Sequence, residues 1–439
     1  MVKTAPAPAD DSRCGWFHTS RSRQATPGHK GLRKARWAVV GAGLTGLAAA
    51  RQLATRFPDD EVILVEAQEV GFGPSGRNSG FVIDLPHDIG APDYIGDLDN
   101  AKMSLTLNKA AQNILKQLIT EHNIDCGLHF SGKYQAAVES SGISVLDSYR
   151  TGLDKLGEAY DVIEAKHIPD HLGTNFYRKA LFTPGTMLLQ PSALVKGLAD
   201  SLPSNVTLYE NTPVTDFQRG EEIELRHPRG SITASNLLLT NNAFASHFGF
   251  LKGRLLPIFT YASMTRPLTE QEGGGIGGKA QWGVIPAHPF GTTLRRTPDN
   301  RILVRNSFSF NPRGQVNPRA LERAGKQHRI SFERRFPALK DVAFEYTWGG
   351  AMCLSRNHMG YFGPLDSNIF AAVGCNGLGL TRGTITGTLL ADWLAGDRNS
   401  LIEFLINSPR PVANPPEPFL SCGTNANLRW GEYRAGLEA

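Results

Sequence analysis

The sequence predicts an α/β protein, α+β overall, with a Rossmann-like dinucleotide-binding unit near the start of the chain and a second, antiparallel sheet. Within residues 37–66, two apolar strands flank a glycine turn and a helix, which is the order of a βαβ unit. Segments of alternating apolar and polar residues recur through 253–347, as is typical of antiparallel strands. With 439 residues, the chain is long enough for two or three domain-sized cores.

The predicted elements follow one another in a clear order. Residues 1–35 are polar and rich in Pro, Arg and Ser, so we expect a mobile lead or a surface wrap. Apolar runs bounded by glycine predict strands, and Ala and Leu at helical spacing predict helices. In chain order these are the strand 37–40, the helix 44–56, the strand 61–66, the helix 101–119, the helix 193–201, the strands 237–240, 301–305 and 369–373, and a helix from about 383 to 395.

Composition and charge narrow the class of protein. Hydrophobic residues make up 41% and charged residues 20%, which excludes a disordered or fibrous chain. The formal net charge is +5 without a basic stripe, so no nucleic-acid partner is expected. No stretch approaches the roughly 18 to 20 apolar residues of a membrane span. The five cysteines are scattered and odd in number, which favours a reducing compartment and a cytoplasmic protein.

The first motif is the glycine turn after the first strand, Gly41-Ala42-Gly43-Leu44-Thr45-Gly46. Gly41 permits the tight turn, Gly43 allows a pyrophosphate to approach the backbone, and Gly46 lets the helix lie close to the strand. The helix start presents free N–H groups to an anion. Glu66 ends the second strand, 20 residues beyond Gly46, where its carboxylate can accept hydrogen bonds from ribose hydroxyls. The pattern predicts binding of an adenine dinucleotide.

The second motif is the loop that follows this acid, from Gly73 to Gly80. Its Gly, Ser and Asn residues offer many N–H and hydroxyl donors in a short stretch. Arg77 adds a cation that could meet a pyrophosphate or negative charge near a flavin. The position of the loop beside the adenosine-binding acid favours the cofactor interpretation over an ordinary surface turn.

The third motif follows the strand 369–373 and opens the last long helix. It reads Gly374-Cys375-Asn376-Gly377-Leu378-Gly379-Leu380-Thr381-Arg382. A helix start with bare backbone donors suits the electron-rich N1 and O2 end of an isoalloxazine. Two nucleotide-facing helix starts in one chain indicate FAD rather than NAD alone.

These residues resemble the D-amino-acid-oxidase-like flavoprotein superfamily, the group of glycine oxidase and sarcosine oxidase. Within it the chain is most similar to the gamma-glutamylputrescine oxidase and L-pipecolate oxidase branch. The resemblance runs from about Trp37 to Gly396. Besides the three motifs, it depends on Leu189-Gln190-Pro191, on the segment 240–243, on Trp348-Gly349-Gly350, and on Gly387 with Leu390-Ala391.

The resemblance implies a Rossmann-like FAD-binding domain interleaved with a substrate domain built on an antiparallel sheet. The implied division is a lead segment 1–35, an FAD-binding domain of 36–100, 186–245 and 348–400, a substrate-binding domain of 101–185 and 246–347, and an extension 401–439. The implied reaction is hydride transfer from a carbon next to an amine to flavin N5, which gives an imine that hydrolyses. The expected partners are a small, anionic amine or N-substituted amino acid and, as acceptor, oxygen.

The motifs and the resemblance together predict FAD as the cofactor. The residues expected to bind it are Gly41, Gly43, Leu44, Thr45, Gly46, Glu66, Ala67, Ser75, Gly76, Arg77, Asn78, Ser79, Val214, Gly374, Asn376, Gly377, Leu378, Gly379, Leu380 and Thr381. No metal is expected, because the 12 histidines show none of the common metal-binding spacings.

Departures from the family pattern bear on the substrate. Leu378 stands where members commonly have a His, and the segment 351–354 lacks the arginine that pairs with an amino-acid carboxylate in glycine-oxidase-like members. A simple α-amino acid is therefore disfavoured. The catalytic residues are not identified by the sequence beyond Arg305 and His87. Substrate contacts are expected from Arg305, Arg356 and Trp348, with Arg382 as a further cation and Asp84 as a pocket residue or the structural partner of His87.

Three alternatives stay open at this point. Cys353 lies close to the place where some sarcosine oxidases attach flavin covalently, although a buried, inert thiol is the simpler role. A related dehydrogenase would pass electrons to a quinone or a carrier protein instead of oxygen. A non-catalytic flavin-binding partner protein would explain the altered residue at Leu378 by lost activity.

Overall fold

A computed structural model describes residues 2–4, 13–88 and 90–439. The predicted lead segment falls partly outside these residues. Its described part makes a short strand, a helix at 15–19 and a polar stretch that packs on the body of the protein. None of the helices in the described ranges is long and apolar enough to cross a membrane.

Strands and helices alternate along most of the chain. The strands are β1 (Val2–Lys3), β2 (Gly31–Val40), β3 (Val62–Val65), β4 (Phe81–Val82), β5 (Lys133–Ala137), β6 (Asp161–Glu164), β7 (Lys179–Thr183), β8 (Met187–Leu188), β9 (Val206–Tyr209), β10 (Asp216–Gln218), β11 (Ile223–His227), β12 (Gly230–Leu239), β13 (Leu256–Thr265), β14 (Trp282–Pro286), β15 (Thr293–Arg296), β16 (Ile302–Phe310), β17 (Phe344–Leu354), β18 (Tyr361–Pro364) and β19 (Ile369–Val373).

The helices are α1 (Gly15–Thr19), α2 (Leu44–Arg56), α3 (Pro74–Arg77), α4 (Leu98–Glu121), α5 (Ser140–Leu156), α6 (Ile168–Leu172), α7 (Pro191–Asp200), α8 (Glu270–Ile276), α9 (Pro318–Arg335), α10 (Gly379–Leu394), α11 (Ser400–Asn407) and α12 (Phe419–Ala435). Short 3₁₀ turns occupy 165–167, 242–248, 337–339 and 436–438. Helix α10, predicted to start near residue 383, begins four residues earlier at Gly379, because the glycine loop turns directly into it. Helices α11 and α12, which follow it, were not predicted.

The first sheet is a mixed sheet with a parallel centre. Strands β19, β12, β2, β3 and β9 run parallel in that order, and β1, β10, β11 and β18 are added antiparallel. One apolar cluster joins its strands to helices α2, α7 and α10, and a second covers the opposite face. Because the carboxyl ends of the parallel strands lie together, the loops after β2, β3, β12 and β19 meet at one edge.

The second sheet has the order β17-β13-β16-β15-β14-β5-β7-β6. Its strands are antiparallel except for the parallel pair of β14 and β5. Phe332 of α9 and Phe336 directly after it pack on one face, and part of the other face lies open towards the first sheet. The predicted fold class, a Rossmann-like domain combined with a largely antiparallel one, is confirmed.

The strand β17 runs without a break through residue 348, the position at which the sequence places a domain boundary. It pairs with β13 and so continues the second sheet up to Leu354. The division of the chain into cofactor and substrate domains stays a proposal, and this strand would belong to both.

Candidate active site

A cavity of about 1080 Å³ lies where the loop edge of the first sheet faces the open side of the second. The turn after β2, the loop 73–79 and the loop 374–379 line one part of it. Strands β13, β16 and β17 line another part, and residues of α12 line its outer wall. All three sequence motifs therefore border a single space.

The glycine turn after β2 is built so closely that side chains would not fit. Gly41 has φ +101°, a conformation that favours glycine. A Cβ on Gly46 would lie 1.8 Å from the carbonyl oxygen of Gly41, and one on Gly43 would lie 2.7 Å from the Ser75 hydroxyl. Gly46 thus allows the helix–strand contact, while Gly43 keeps the backbone bare at the cavity.

The second motif packs against the start of α2. The backbone N–H of Leu44 donates to the Ser75 hydroxyl at 3.0 Å. Helix α2 starts at Leu44, so its first-turn N–H groups have no partner within the helix. This helix start is an anion-binding feature of the kind that pyrophosphate uses.

Glu66 stands next to this turn, after β3. Its carboxylate accepts hydrogen bonds from the N–H groups of Ala42 at 2.9 Å and Gln68 at 3.1 Å. Burial raises the pKa of Glu66, and these two amide donors oppose the shift. The acid is thereby held at the cavity wall beside the glycine turn.

Arg77 is a buried cation that backbone carbonyls hold in place. Its guanidinium donates to the carbonyl oxygens of Phe72 and of Gly349, the latter at 3.0 Å. The indole N–H of Trp348 donates to the Arg77 carbonyl oxygen at 3.1 Å. These bonds fasten the second motif to strand β17.

The third motif starts helix α10 directly beside α2. A Cβ on Gly387 would lie 2.2 Å from the Thr45 carbonyl oxygen, so the two helices touch through their backbones. Gly374 donates its N–H to the Asn242 side chain at 2.9 Å, and the Asn376 side chain accepts from the N–H of Ser355 at 2.9 Å. Two helix starts therefore face the cavity at fixed positions.

Rows of paired residues on the second sheet form the cavity floor. One row runs Thr293, Arg305, Ala262 and Trp348 across four neighbouring strands. All four line the cavity, since directly paired residues share a face of a sheet. Arg305 donates to the Thr293 hydroxyl at 3.3 Å.

The floor and its surroundings carry several cations, of which Arg295 and Lys133 are buried and Arg305 and Arg382 are half-buried. Burial lowers the pKa of Arg305 to about 10, of Arg382 to about 10, of Arg295 to about 9 and of Lys133 to about 8. Within the part of the chain that the structure describes, none of the four lies within 4.0 Å of a carboxylate. Of the four, Arg305 and Arg382 line the cavity, and cations without a carboxylate partner are suited to contact an anion.

His87 lies beside Arg305 and lines the cavity. Its ring stacks on Tyr94 with centroids 4.8 Å apart. Burial, together with the charges of Lys133 and Arg305, lowers the pKa of His87 to about 3. Asp84, the predicted partner of His87, instead accepts from the Thr186 hydroxyl at 2.9 Å and does not line the cavity.

Most residues predicted from the sequence border the cavity. From the cofactor set these are Gly41, Gly43, Leu44, Thr45, Glu66, Ala67, Ser75, Arg77, Asn78, Ser79, Val214, Gly374, Asn376, Gly377, Leu378, Gly379 and Leu380. Gly46, Gly76 and Thr381 lie behind this surface and support it. From the substrate set, Arg305 and Trp348 lie on the floor and Arg356 is exposed at the rim.

Sequence reasoning missed residues that belong to no motif. The Thr293 hydroxyl, the Lys133 ammonium and the inner face of α12 are examples. The alternation of strand residues could have placed Thr293 on a face, but only strand pairing brings it next to Arg305.

Four cavity residues have buried polar atoms that lack a hydrogen-bond partner among the described residues. They are Asn241 Oδ1, Thr260 Oγ1, His358 Nδ1 and both amide atoms of Asn414. Buried polar atoms are normally paired, so these atoms fit a cavity that holds a polar ligand. With two helix starts, bare glycines and an acid at its wall, the cavity suits a dinucleotide. No cluster of metal-ligating side chains occurs in the described ranges.

Comparison with known proteins agrees with this geometry. A family model described as FAD dependent oxidoreductase (DAO) matches residues 36–393. Gamma-glutamylputrescine oxidoreductase of Escherichia coli K12 is 28% identical over 364 residues, which covers 82% of this chain and 83% of that protein. A probable oxidoreductase, OrdL, of Haemophilus influenzae is 24% identical over 382 residues and covers 83% and 84% of the two chains.

Two solved structures share the fold. Glycine oxidase of Geobacillus kaustophilus superposes with a TM-score of 0.71 at 19% identity, covering 86% of this chain and 99% of that one. L-proline dehydrogenase of P. horikoshii superposes with a TM-score of 0.68 at 18% identity, covering 87% and 97%. At these identities the similarity concerns the fold alone.

Proposed function

This chain belongs to the family of FAD-dependent oxidoreductases, since the family model spans most of it, and from that premise we propose that it oxidises a small amine that carries an anionic group. FAD is the cofactor that the family requires, and it supplies an acceptor for the hydride that leaves the carbon next to the amine. The relative that acts on gamma-glutamylputrescine supports an amine as substrate. The anionic group is inferred from this chain's own residues.

The residues that would hold FAD divide between the two helix starts. Glu66 would accept hydrogen bonds from the ribose, and the backbone around Gly43 would bind the pyrophosphate. The start of α10, with Gly379 and Leu380, would present N–H groups to the flavin end. These roles follow the motifs and remain proposals.

Arg305 carries the proposal of an anionic substrate. Its guanidinium lies on the cavity floor, is held by the Thr293 hydroxyl at 3.3 Å and has no carboxylate within ion-pair distance in the described chain. A planar guanidinium binds carboxylate groups through two parallel hydrogen bonds. We therefore assign Arg305 to the anionic end of the substrate, with Trp348 in the same row as an apolar neighbour.

The same cations favour the reactive protonation state of the substrate. Positive charges nearby disfavour an ammonium group, so Arg305 and Lys133 would shift the bound substrate towards its neutral amine. His87, whose pKa is about 3, stays neutral at physiological pH and adds no charge. We propose that His87 orients the substrate, and that its ring and the Tyr94 ring exclude water.

Oxygen is the proposed acceptor of the electrons. Its reduction places negative charge in the cavity, which cations such as Arg382 stabilise. The structural similarity to L-proline dehydrogenase makes a quinone or carrier protein the alternative acceptor. The proposed compartment is the cytoplasm, since all five cysteines are free thiols in the structure.

The test is an anaerobic visible spectrum of the FAD-loaded protein with matched amines. Gamma-glutamylputrescine and proline carry a carboxylate, whereas their counterparts N-acetylputrescine and pyrrolidine lack it. We expect a compound with the carboxylate to bleach the flavin band near about 450 nm and its counterpart without the carboxylate to act far more slowly. Bleaching by none of them, or equal bleaching within a pair, contradicts the proposal.

Adding air after the bleaching step separates the two acceptors. Rapid return of the flavin band with consumption of oxygen supports an oxidase. Slow return in air, with fast return on adding a soluble quinone, assigns the chain to the dehydrogenases.

A further inference from the structure

Helix α12 and the segments around it lie outside the part of the chain that matches the family model, which ends at residue 393. One face of the helix nevertheless lines the cavity. Five of its cavity residues follow the spacing of one helical face, namely Leu420, Gly423, Thr424, Asn427 and Leu428, and Phe419 lines the cavity at the start of the helix. The end of the chain is therefore part of the substrate side.

Strand β16 contains a bulge directly after Arg305. The residues paired with Tyr261 and Thr260 are Asn306 and Phe308, so Ser307 is an extra, unpaired residue, and its φ is +60°. A bulge resets the alternation of side chains along a strand. Without it, Arg305 and Phe308 would face opposite sides of the sheet.

As a result of the bulge, both side chains face the cavity and touch each other. The guanidinium carbon of Arg305 lies 5.2 Å from the centre of the Phe308 ring. This cation–π contact orients a side chain that otherwise makes one long hydrogen bond, to Thr293. The position of Phe308 therefore sets the position of Arg305.

Helix α12 holds Phe308 and its neighbour in place. The Glu432 carboxylate accepts a hydrogen bond from the backbone N–H of Phe308 at 2.8 Å, immediately after the bulge residue. Gly431 lies flat on the Phe290 ring, where a Cβ would come within 2.4 Å of a ring carbon. Phe290 in turn meets the Phe308 ring edge-on, with centroids 5.3 Å apart.

The helix is itself anchored at its far end. The Glu438 carboxylate accepts from the N–H of Val138 at 2.7 Å, and its carbonyl oxygen accepts from Thr292 at 2.7 Å and from Arg335 at 2.9 Å. Val138 directly follows β5, Thr292 directly precedes β15, and Arg335 ends α9. These bonds therefore tie the end of α12 to the second sheet and its covering helix.

We propose that Glu432 is a positioning residue for substrate binding: by accepting the Phe308 N–H at the bulge, it fixes the aromatic ring against which Arg305 is oriented. This inference rests on the proposed function, because Arg305 is assigned there to the anionic end of the substrate. According to this inference, residues that follow the part of the chain matched by the family model affect how tightly the anion is bound.

The test measures binding of glutarate, a dicarboxylate without an amine, to the FAD-loaded protein by calorimetry. Glu432→Ala removes the acceptor, and we expect the dissociation constant of glutarate to rise about tenfold, the effect of losing one hydrogen bond to a charged group. Glu432→Gln keeps a carbonyl oxygen that can accept the same N–H, so it should restore binding close to that of the unaltered protein.

Matched variants keep the result interpretable. Asn425→Ala changes an exposed residue of the same helix and should leave glutarate binding unchanged. Gly431→Ala pushes on Phe290 and should weaken binding through the second contact, which serves as an independent variant if Glu432→Ala folds poorly. FAD content and melting temperature report folding in each case.

The outcomes separate this inference from the proposed function. If Arg305→Met leaves glutarate binding unchanged, Arg305 does not bind the anion and the proposed function fails. If Arg305→Met weakens binding while Glu432→Ala and Gly431→Ala do not, only the positioning role is overturned. Equal losses in the Ala and Gln variants of Glu432 would also overturn it, because they would show that charge rather than the hydrogen bond matters.

Discussion

The two ends of the cavity differ in the chemical groups that line them. Around Glu66 the wall is made of bare backbone, helix starts and an acid, all within a short stretch of sequence. Around Arg305 the wall is a sheet face with aromatic rings and unpaired cations, collected from distant parts of the chain. The acid suits the hydroxyl groups of a ribose, and the cations suit an anionic substrate.

This difference reflects two tasks: binding a cofactor that many proteins share, and selecting a substrate that is particular to one protein. A dinucleotide is bound through its invariant phosphates and ribose, so the same local motif serves repeatedly. A substrate is selected by side chains on a scaffold that supports many activities. We therefore expect changes at the Glu66 end to affect cofactor retention, and changes at the Arg305 end to affect the choice of substrate.

The largest effect is expected from Glu66→Ala. The variant would lose the proposed acceptor of two hydrogen bonds from ribose hydroxyls, and we expect the dissociation constant of FAD to rise about a thousandfold. The ratio of flavin to protein and a fluorescence titration with FAD measure this. Glu69→Ala, which removes another carboxylate at the cavity, is the control, and equal loss in both variants would contradict the specific role of Glu66.

A change at the other end, Arg305→Met, should leave FAD content intact. We expect kcat/KM for an anionic amine to fall about 100-fold, because a buried partner of the substrate's charge is removed. Activity with the counterpart that lacks the carboxylate should change little. Arg356→Met at the exposed rim is the control. A loss of bound FAD in Arg305→Met would contradict the expectation that the Arg305 end affects only the substrate.

Lys133→Met tests whether the buried charge of Lys133 lowers the stability of the folded protein. The side chain is 2% exposed, and burial lowers its pKa from 10.5 in the unfolded chain to about 8. Between these pH values the unfolded chain binds the extra proton, so the stability of the unaltered protein rises as the pH rises from 8 to 10.5.

At pH 7 the Lys133→Met variant should gain on the order of 2 kcal/mol of stability. The melting temperature of the unaltered protein should rise between pH 8 and 10.5, and that of the variant should not. Glutarate binding should weaken at the same time, because a cation beside His87 is gone. Thermal unfolding across that pH range measures the first effect, and a variant less stable than the parent at pH 7 would refute the assigned cost.

The smallest effect is expected at Cys353, between the two ends. Burial raises the pKa of this thiol well above its usual value, and it is completely buried. Since the thiolate is the reactive form, we expect the thiol to be inert and FAD to be bound without a covalent bond. Acid precipitation should release all flavin into the supernatant, and Cys353→Ala should not alter the FAD content. Flavin retained in the pellet would contradict this.

Much of the fold was predictable because its signals are local. Gly41 takes the turn with φ +101°, and Gly46 is required because a Cβ there would meet the Gly41 carbonyl oxygen. The space at Gly43 is limited by the more distant Ser75, and Glu66 directly follows the adjacent strand β3. The second sheet was predictable in kind from alternating residues. The parallel pairing of β5 with β14 was not predictable, because the two strands lie far apart in the sequence and neither segment carries a mark of its partner.

The sequence by itself determined the fold class and FAD as the cofactor, since both depend on backbone conformations that short segments specify. Only the tertiary structure decided the substrate end. Arg305 appeared in the sequence as one arginine on a strand, among 46 basic residues. Strand pairing placed it beside Thr293, the bulge at Ser307 turned Phe308 towards it, and α12 fixed that ring through Glu432. Each of these contacts joins residues that are distant in sequence or depends on a pairing register, and such information exists only in the folded chain.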